Sequence, residues 1–185
     1  MTYSIPNILT FIRILIIPLL VFVYYFPPNA IGMRLTALLF ALAALTDWLD
    51  GYLARKLNQT SKLGAFLDPI ADKLIVVTVL VMIVDEFGKL SILIPALIII
   101  GREIAVSGLR EWMSELGNRS SVSVSMLGKI KTTAQMTSLF LLLYRYPIFG
   151  FPTFEIGVWL LYIAAALTIW SMLVYFRRAI KAFGQ

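Results

Sequence analysis

The sequence predicts an all-α integral membrane protein, a bundle of six transmembrane helices. Three observations carry that expectation. The 185 residues are 60% hydrophobic, with a mean hydropathy of +0.89, too apolar for a soluble domain. Apolar residues gather in six segments that each approach the roughly 20 residues needed to cross a bilayer. The connections between them are short, and backbone in lipid must satisfy its own hydrogen bonds, which leaves helices as the spanning element. A single transmembrane domain over residues 1–185 follows, without a separate soluble part.

The segments run at about 8–26, 32–55, 64–84, 90–112, 124–144 and 156–176, joined near residues 27–29, 56–62, 85–89, 115–123 and 146–155. The first follows Pro6-Asn7-Ile8-Leu9-Thr10-Phe11-Ile12-Arg13, which puts Asn7, Thr10 and Arg13 at helical spacing. It lacks the basic start and small-residue cleavage site of a signal peptide, so it is expected to be retained. Asn7 is equally readable as a helix N-cap. Segments one, three and four contain Pro18, Pro69 and Pro95, each a candidate kink. Segment six, Ile156 to Phe176, is uncharged and reads as an ordinary span. Trp48, Trp112, Trp159 and Trp170 are expected to anchor interfaces or pack helices.

The Lys/Arg distribution sets the orientation. With a cytoplasmic N-terminus, Arg34, Lys89 and Arg145 fall toward the far side. Arg55, Lys56, Lys62, Arg119, Arg177, Arg178 and Lys181 fall in cytoplasmic connections and the tail. Both termini are therefore expected on the cytoplasmic side of the inner, cytoplasmic membrane. The same alternation puts the polar residues inside helices, among them Arg13, the four Asp below, Arg102, Glu103, Arg110, Lys129 and Lys131, on the cytoplasmic halves. They are expected to line a polar cavity there.

Segments two and three carry the chemistry. Asp47 and Asp50 stand three apart, Asp68 and Asp72 four apart, so each pair shares a helix face. The polar stretch 56–62 between them reads as a turn joining two antiparallel helices. Asp47 lies eight residues before Arg55 and Asp72 eight after Gly64, roughly 12 Å along a helix; Asp50 and Asp68, five and four residues from the same two positions, match at about 6–7 Å. Four carboxylates thus meet at two matched depths. Carboxylates in apolar sequence are costly and usually functional, and four together repel unless cations hold them. Oxygen donors without His or Cys, both absent from the chain, suit two divalent cations, Mg²⁺ or Mn²⁺, the common device for clamping a diphosphate. Without histidine, general-base work falls to a carboxylate. Gly51 and Gly64 adjoin the acidic positions and leave room for a ligand near backbone. As caps or partners of Arg55, Lys56, Lys62 and Lys73 these Asp are poorly explained, since a helix end needs one carboxylate and here two lie at depth.

Asp47-x2-Asp50-Gly51-x2-Ala54-Arg55-x8-Gly64-x3-Asp68-x3-Asp72 resembles the full signature of the CDP-alcohol phosphotransferases, without departure. Thr46-Asp47-Trp48, Arg102-Glu103-Ile104, Leu109-Arg110-Glu111-Trp112 and Gly128-Lys129-Ile130-Lys131-Thr132 look in particular like the bacterial phosphatidylglycerophosphate synthase branch. The resemblance implies transfer of a phosphatidyl group from CDP-diacylglycerol to an alcohol, with release of CMP. It implies Asp47, Asp50 and Asp68 as metal ligands, with Asp72 completing the metal site and serving as general base. Asn7, Thr10, Gly51, Arg55, Ser61 and Gly64 are expected around the CDP-diacylglycerol, and a homodimer is common in the family.

Arg110, Lys129 and Lys131 are cations beyond what a diphosphate and metals require, and a phosphorylated acceptor, glycerol 3-phosphate, would use them. Lys129 and Lys131 diverge by about 200° on a helix, so one is expected to face the pocket and Lys131 to be the one reaching lipid headgroups. The net charge of +6 suits anionic lipid and phosphate substrates; the cations scatter between apolar segments, which is not a nucleic-acid pattern. A cation transporter would also bury several Asp, but it needs polar residues continuing to the far side, and a non-catalytic scaffold has no use for the spacing. Within the family the alternative is another acceptor, as in phosphatidylserine, phosphatidylinositol phosphate or cardiolipin synthesis.

Overall fold

In the computed structural model, residues 5–27, 29–57, 62–115 and 126–183 are described. They form six α-helices: α1 (Ile5–Tyr25), α2 (Asn29–Leu57), α3 (Lys62–Phe87), α4 (Leu90–Glu115), α5 (Met126–Tyr144) and α6 (Thr153–Phe183). Among the described residues there is no strand, only an isolated bridge between Ile148 and Phe151. The six apolar segments correspond to the six helices. The largest difference is at the end of α6, which continues past Phe176 through Arg177, Arg178 and Lys181. Apolar content marks where a helix crosses lipid, not where it stops, and basic residues suit the negative end of the helix dipole.

Four helices are long and apolar enough to cross a membrane: α1 over Ile8–Tyr25, α2 over Ala30–Asp47, α4 over Leu90–Leu109 and α6 over Thr153–Arg177. Large apolar side chains stay on their outer surfaces, including Leu15, Leu19, Phe22, Leu97, Ile104, Trp159 and Trp170. A water-soluble surface does not carry so much exposed hydrocarbon; lipid-facing helices do. α3 falls short because Asp68, Asp72 and Lys73 interrupt its first half, and α5 because 19 residues contain Lys129, Lys131 and Gln135.

The helices divide into two compact units. The first comprises residues up to Ile83 together with Phe140–Phe154. In it α1 and α2 pack through small residues: a Cβ on Gly32 would lie 2.9 Å from the Val23 carbonyl oxygen, and Thr36 and Ala37, about one turn further along α2, are fully buried. Small residues at such a seam let helix backbones approach, which is how helices associate where no water can drive them together. Leu20, Phe40, Ala71, Val79, Leu80 and Leu143 complete its core. The turn after α5 bends through Arg145, Phe149 and Gly150, all at positive φ. Tyr146 fixes it, with its carbonyl accepting the Thr153 hydroxyl at 2.7 Å and the Arg34 guanidinium 4.8 Å above its ring.

The second unit comprises Val84–Leu139 and Glu155–Gln185. Its core is Ile92, Ala96, Ile99, Val106, Leu139, Leu161 and Ala164. The Ser138 hydroxyl donates to the Gly157 carbonyl at 2.7 Å and ties α5 to α6, a bond worth about 0.6–2 kcal/mol between membrane helices. At the end of α3, Gly88 takes φ 56° and returns its N–H to the Val84 carbonyl at 2.9 Å, a left-handed cap suited to glycine.

Candidate active site

The acidic hairpin lies in the first unit, and α1 supplies its counterparts. Asp47 comes from the second half of α2, Asp68 and Asp72 from the first half of α3. One turn apart on α1, Thr10 and Arg13 face them. The Thr10 hydroxyl donates to Asp68 Oδ1. Arg13 Nη1 lies 2.5 Å from Asp72 Oδ1 and 3.0 Å from Asp47 Oδ1. A single guanidinium nitrogen therefore joins the two carboxylates that the sequence placed at the same depth of the hairpin. Thr10, three residues earlier, meets Asp68 one helical turn nearer the hairpin's connection, as the spacing of α3 requires.

The layering is distinctive. Arg13 is 1% exposed, while the Asp47 and Asp72 side chains are 48% and 46% exposed. The cation forms the floor and the half-exposed carboxylates form the rim. A buried guanidinium is tolerated only with anions bonded to it, so Arg13 both needs the carboxylates and aims them. The sequence places Arg13 among the polar residues expected to line a cavity and names no partner for it. The available signal was physical: a cation one turn after Thr10 in apolar helix requires a buried partner.

Arg13 pairs with Asp47 and Asp72 and Thr10 bonds Asp68, so the rim presents hard oxygen donors. That chemistry fits divalent cations such as Mg²⁺ or Mn²⁺. Among the described residues no group of three or more acidic side chains is spaced to hold a metal ion by itself. Arg13 stands where Asp47 and Asp72 meet, and the Asp50 side chain is outside the described set. Asn7, Gly51 and Arg55 lie on described helix backbone, but their surroundings are outside it too, and Ser61 is outside altogether. Gly64 is buried at the start of α3.

The second unit holds a separate polar cluster. Glu103 Oε1 accepts from Lys131 Nζ at 2.7 Å and from Arg102 Nη1 at 3.0 Å. Arg102 Nη2 reaches the Ser171 hydroxyl at 3.4 Å, and its guanidinium lies 5.9 Å from the Tyr175 ring centre. Lys131 is 3% exposed, so it does not reach lipid headgroups. The expectation for it is corrected: with a carboxylate within reach, pairing in the interior outcompetes snorkelling along the helix. Lys129, on the opposite side of α5, is exposed, as the 200° divergence requires. Arg110 lies on α4, with its side chain outside the described set.

Residues 3–170 match the family model of the CDP-alcohol phosphatidyltransferases. The chain is 52% identical over 180 residues to a Haemophilus influenzae protein named CDP-diacylglycerol–glycerol-3-phosphate 3-phosphatidyltransferase, covering 97% of this chain and 95% of the relative. Proteins of the same name from Salmonella choleraesuis and Shigella flexneri are 48% and 47% identical over 179 residues, covering 97% of this chain and 96% of each relative.

Proposed function

Because the chain belongs to the CDP-alcohol phosphatidyltransferase family, we propose that it transfers a phosphatidyl group from CDP-diacylglycerol to glycerol 3-phosphate, giving phosphatidylglycerophosphate and CMP. The observation that carries the reading is the anionic rim of Asp47, Asp68 and Asp72 set over Thr10 and Arg13.

The family generally uses divalent metals. Asp47, Asp50, Asp68 and Asp72 would hold two such ions, which when bound neutralise the diphosphate and the charge that develops on it. The chain's own residues do the rest. Arg13 holds Asp47 and Asp72 at fixed separation beneath the donor, and Thr10 orients Asp68. Asn7, Gly51, Arg55, Ser61 and Gly64 surround the CDP group. Asp72, half-exposed at the rim, takes the proton of the free primary hydroxyl of glycerol 3-phosphate. The hydroxyl oxygen bonds to the phosphorus that carries the diacylglycerol, the bond from that phosphorus to the CMP oxygen breaks, and CMP departs. Arg110, Lys129 and Lys131 form the cationic group for the acceptor's own phosphate.

Six membrane crossings, both termini in the cytoplasm and a site open to it complete the proposal; the asymmetry of Lys and Arg supports that orientation. CMP release by the purified protein, with CDP-diacylglycerol and a panel of acceptor alcohols, tests it. Release with glycerol 3-phosphate alone is expected; preference for serine or an inositol phosphate would replace the acceptor.

A further inference from the structure

We propose that the turn between α5 and α6 is a lipid anchor: Phe149 and Phe151 enter the headgroup layer of the bilayer, at the end of the first unit remote from the acidic rim. Arg34 and Arg145 supply the positive charge that faces lipid phosphate there.

The turn holds an aromatic side chain where the backbone resists one. The Ile148 carbonyl accepts the Phe151 N–H at 3.0 Å and closes a four-residue turn. Its central residues, Phe149 and Gly150, stand at φ 51° and 81°. Two successive positive φ values mark a hairpin turn whose first central position ordinarily goes to asparagine or aspartate. Phenylalanine there costs backbone strain. No packing within the chain offsets it, because Phe149 is 97% exposed and Phe151 is exposed beside it. The ring therefore meets its partner outside the chain.

Position identifies that partner. The segments long and apolar enough to cross a membrane end at Tyr25 in α1 and begin at Ala30 in α2 and Thr153 in α6. The Thr153 hydroxyl bonds the Tyr146 carbonyl, and the Arg34 guanidinium lies over the Tyr146 ring. The turn is thus tied to the place where these segments leave hydrocarbon. Its tip is three residues from Tyr146, about 10 Å at full stretch, within reach of a headgroup layer roughly 5–8 Å deep on each face. Tyr25 and Phe26, exposed at the end of α1, extend the aromatic surface of this end, as at a membrane boundary. Arg34 precedes Asp47 by 13 residues on α2, about 20 Å, so an anchored turn sets the depth of the rim. Charge favours lipid over a second copy of the chain. Residues 26–46 and 140–154 contain Arg34 and Arg145 and no acidic residue. A two-fold contact between copies would set those arginines against each other, whereas lipid phosphate complements them.

The chain has no cysteine, so a nitroxide at Phe151→Cys reports the turn in the full protein, reconstituted in vesicles of phosphatidylethanolamine and phosphatidylglycerol. Its collisions with oxygen, which concentrates in lipid, are compared with those of a water-soluble nickel chelate. A label at Leu15→Cys, exposed in the middle of the apolar segment of α1, marks the hydrocarbon interior, and a free nitroxide marks buffer. The label at 151 is expected between them, with an oxygen-to-chelate ratio several-fold above buffer. Phe149→Asp in that background is expected to bring the ratio to within about twofold of buffer. A buffer-like ratio with Phe149 in place overturns the proposal, as does a ratio that Phe149→Asp leaves unchanged. Shielding from both colliders, with spin–spin broadening that vanishes on dilution with unlabelled chain, makes a second copy the occupant and overturns it too. Should the Asp variant fail to insert, Phe149→Asn, which suits the turn's backbone, serves; a smaller fall in the ratio is expected, and no fall overturns the proposal.

Discussion

Arg13 and Asp72 form a 2.5 Å ion pair across 59 residues of chain, a buried guanidinium on α1 beneath a half-exposed carboxylate on α3. The same nitrogen reaches Asp47 at 3.0 Å on α2. Three helices are therefore fastened at one atom, directly below the oxygen edges proposed to do the chemistry.

Removing that fastening should cost stability and activity together. Arg13→Met leaves two carboxylates repelling each other, but both are half-exposed, so the loss should be about 1–3 kcal/mol, below the roughly 3–5 kcal/mol for a fully buried pair. Arg13→Lys keeps the charge but supplies a point cation in place of a planar fork, and should recover stability more than turnover. Thermal midpoints in detergent and CMP release would read the two effects; equal recovery of both by Lys would reduce Arg13 to a simple counter-ion.

Metal dependence follows from the chemistry of the rim. Hard oxygen donors at the rim, in a chain without His or Cys, predict that a chelator abolishes CMP release and that Mg²⁺ or Mn²⁺ restores it. Asp47→Asn, Asp50→Asn and Asp68→Asn should each weaken cation binding as well as turnover. Full activity in excess EDTA would remove the two-metal reading.

Much of this centre was legible in the sequence. Asp47 and Asp72 were paired in depth by counting residues from the turn, and the structure joins them through Arg13. Counting works there because helical rise is constant and the connection is short. Arg13 itself was weakly legible, because a periodicity shows that a residue shares a face but not which distant charge it meets. Glu103 and Lys131 were harder still. They are 28 residues apart on different helices, and nothing local separates a lysine that pairs inward from one that reaches lipid headgroups. The extension of α6 to Phe183 was hidden for another reason, since hydropathy reports the bilayer and the helix outlasts it.

The role proposed for Asp72 is separable from donor binding. As the proposed base it would be required when the acceptor hydroxyl loses its proton, so Asp72→Asn should retain CDP-diacylglycerol while losing about 10²–10⁴-fold in rate. Asparagine keeps an oxygen for Arg13, so the fold should persist. Donor binding by the purified variant, set beside its single-turnover rate, would decide; near-native turnover would leave Asp72 as a ligand or a structural charge only.

The acceptor assignment makes the last prediction. Arg110, Lys129 and Lys131 are proposed as the cationic group for the phosphate of glycerol 3-phosphate, and Lys129 is exposed while Lys131 is buried. Losing one charge-assisted contact to phosphate costs on the order of 1.5–3 kcal/mol, roughly tenfold to a hundredfold in affinity. Arg110→Gln and Lys129→Gln should therefore raise KM for glycerol 3-phosphate by that factor and leave KM for CDP-diacylglycerol nearly unchanged. An exposed lysine that only met lipid headgroups would show neither effect, because neighbouring cations would replace it at the membrane surface. Steady-state kinetics in mixed micelles, with each substrate varied in turn, separates the two cases. Small, equal changes for both substrates would make the cluster interfacial and reopen the choice of acceptor.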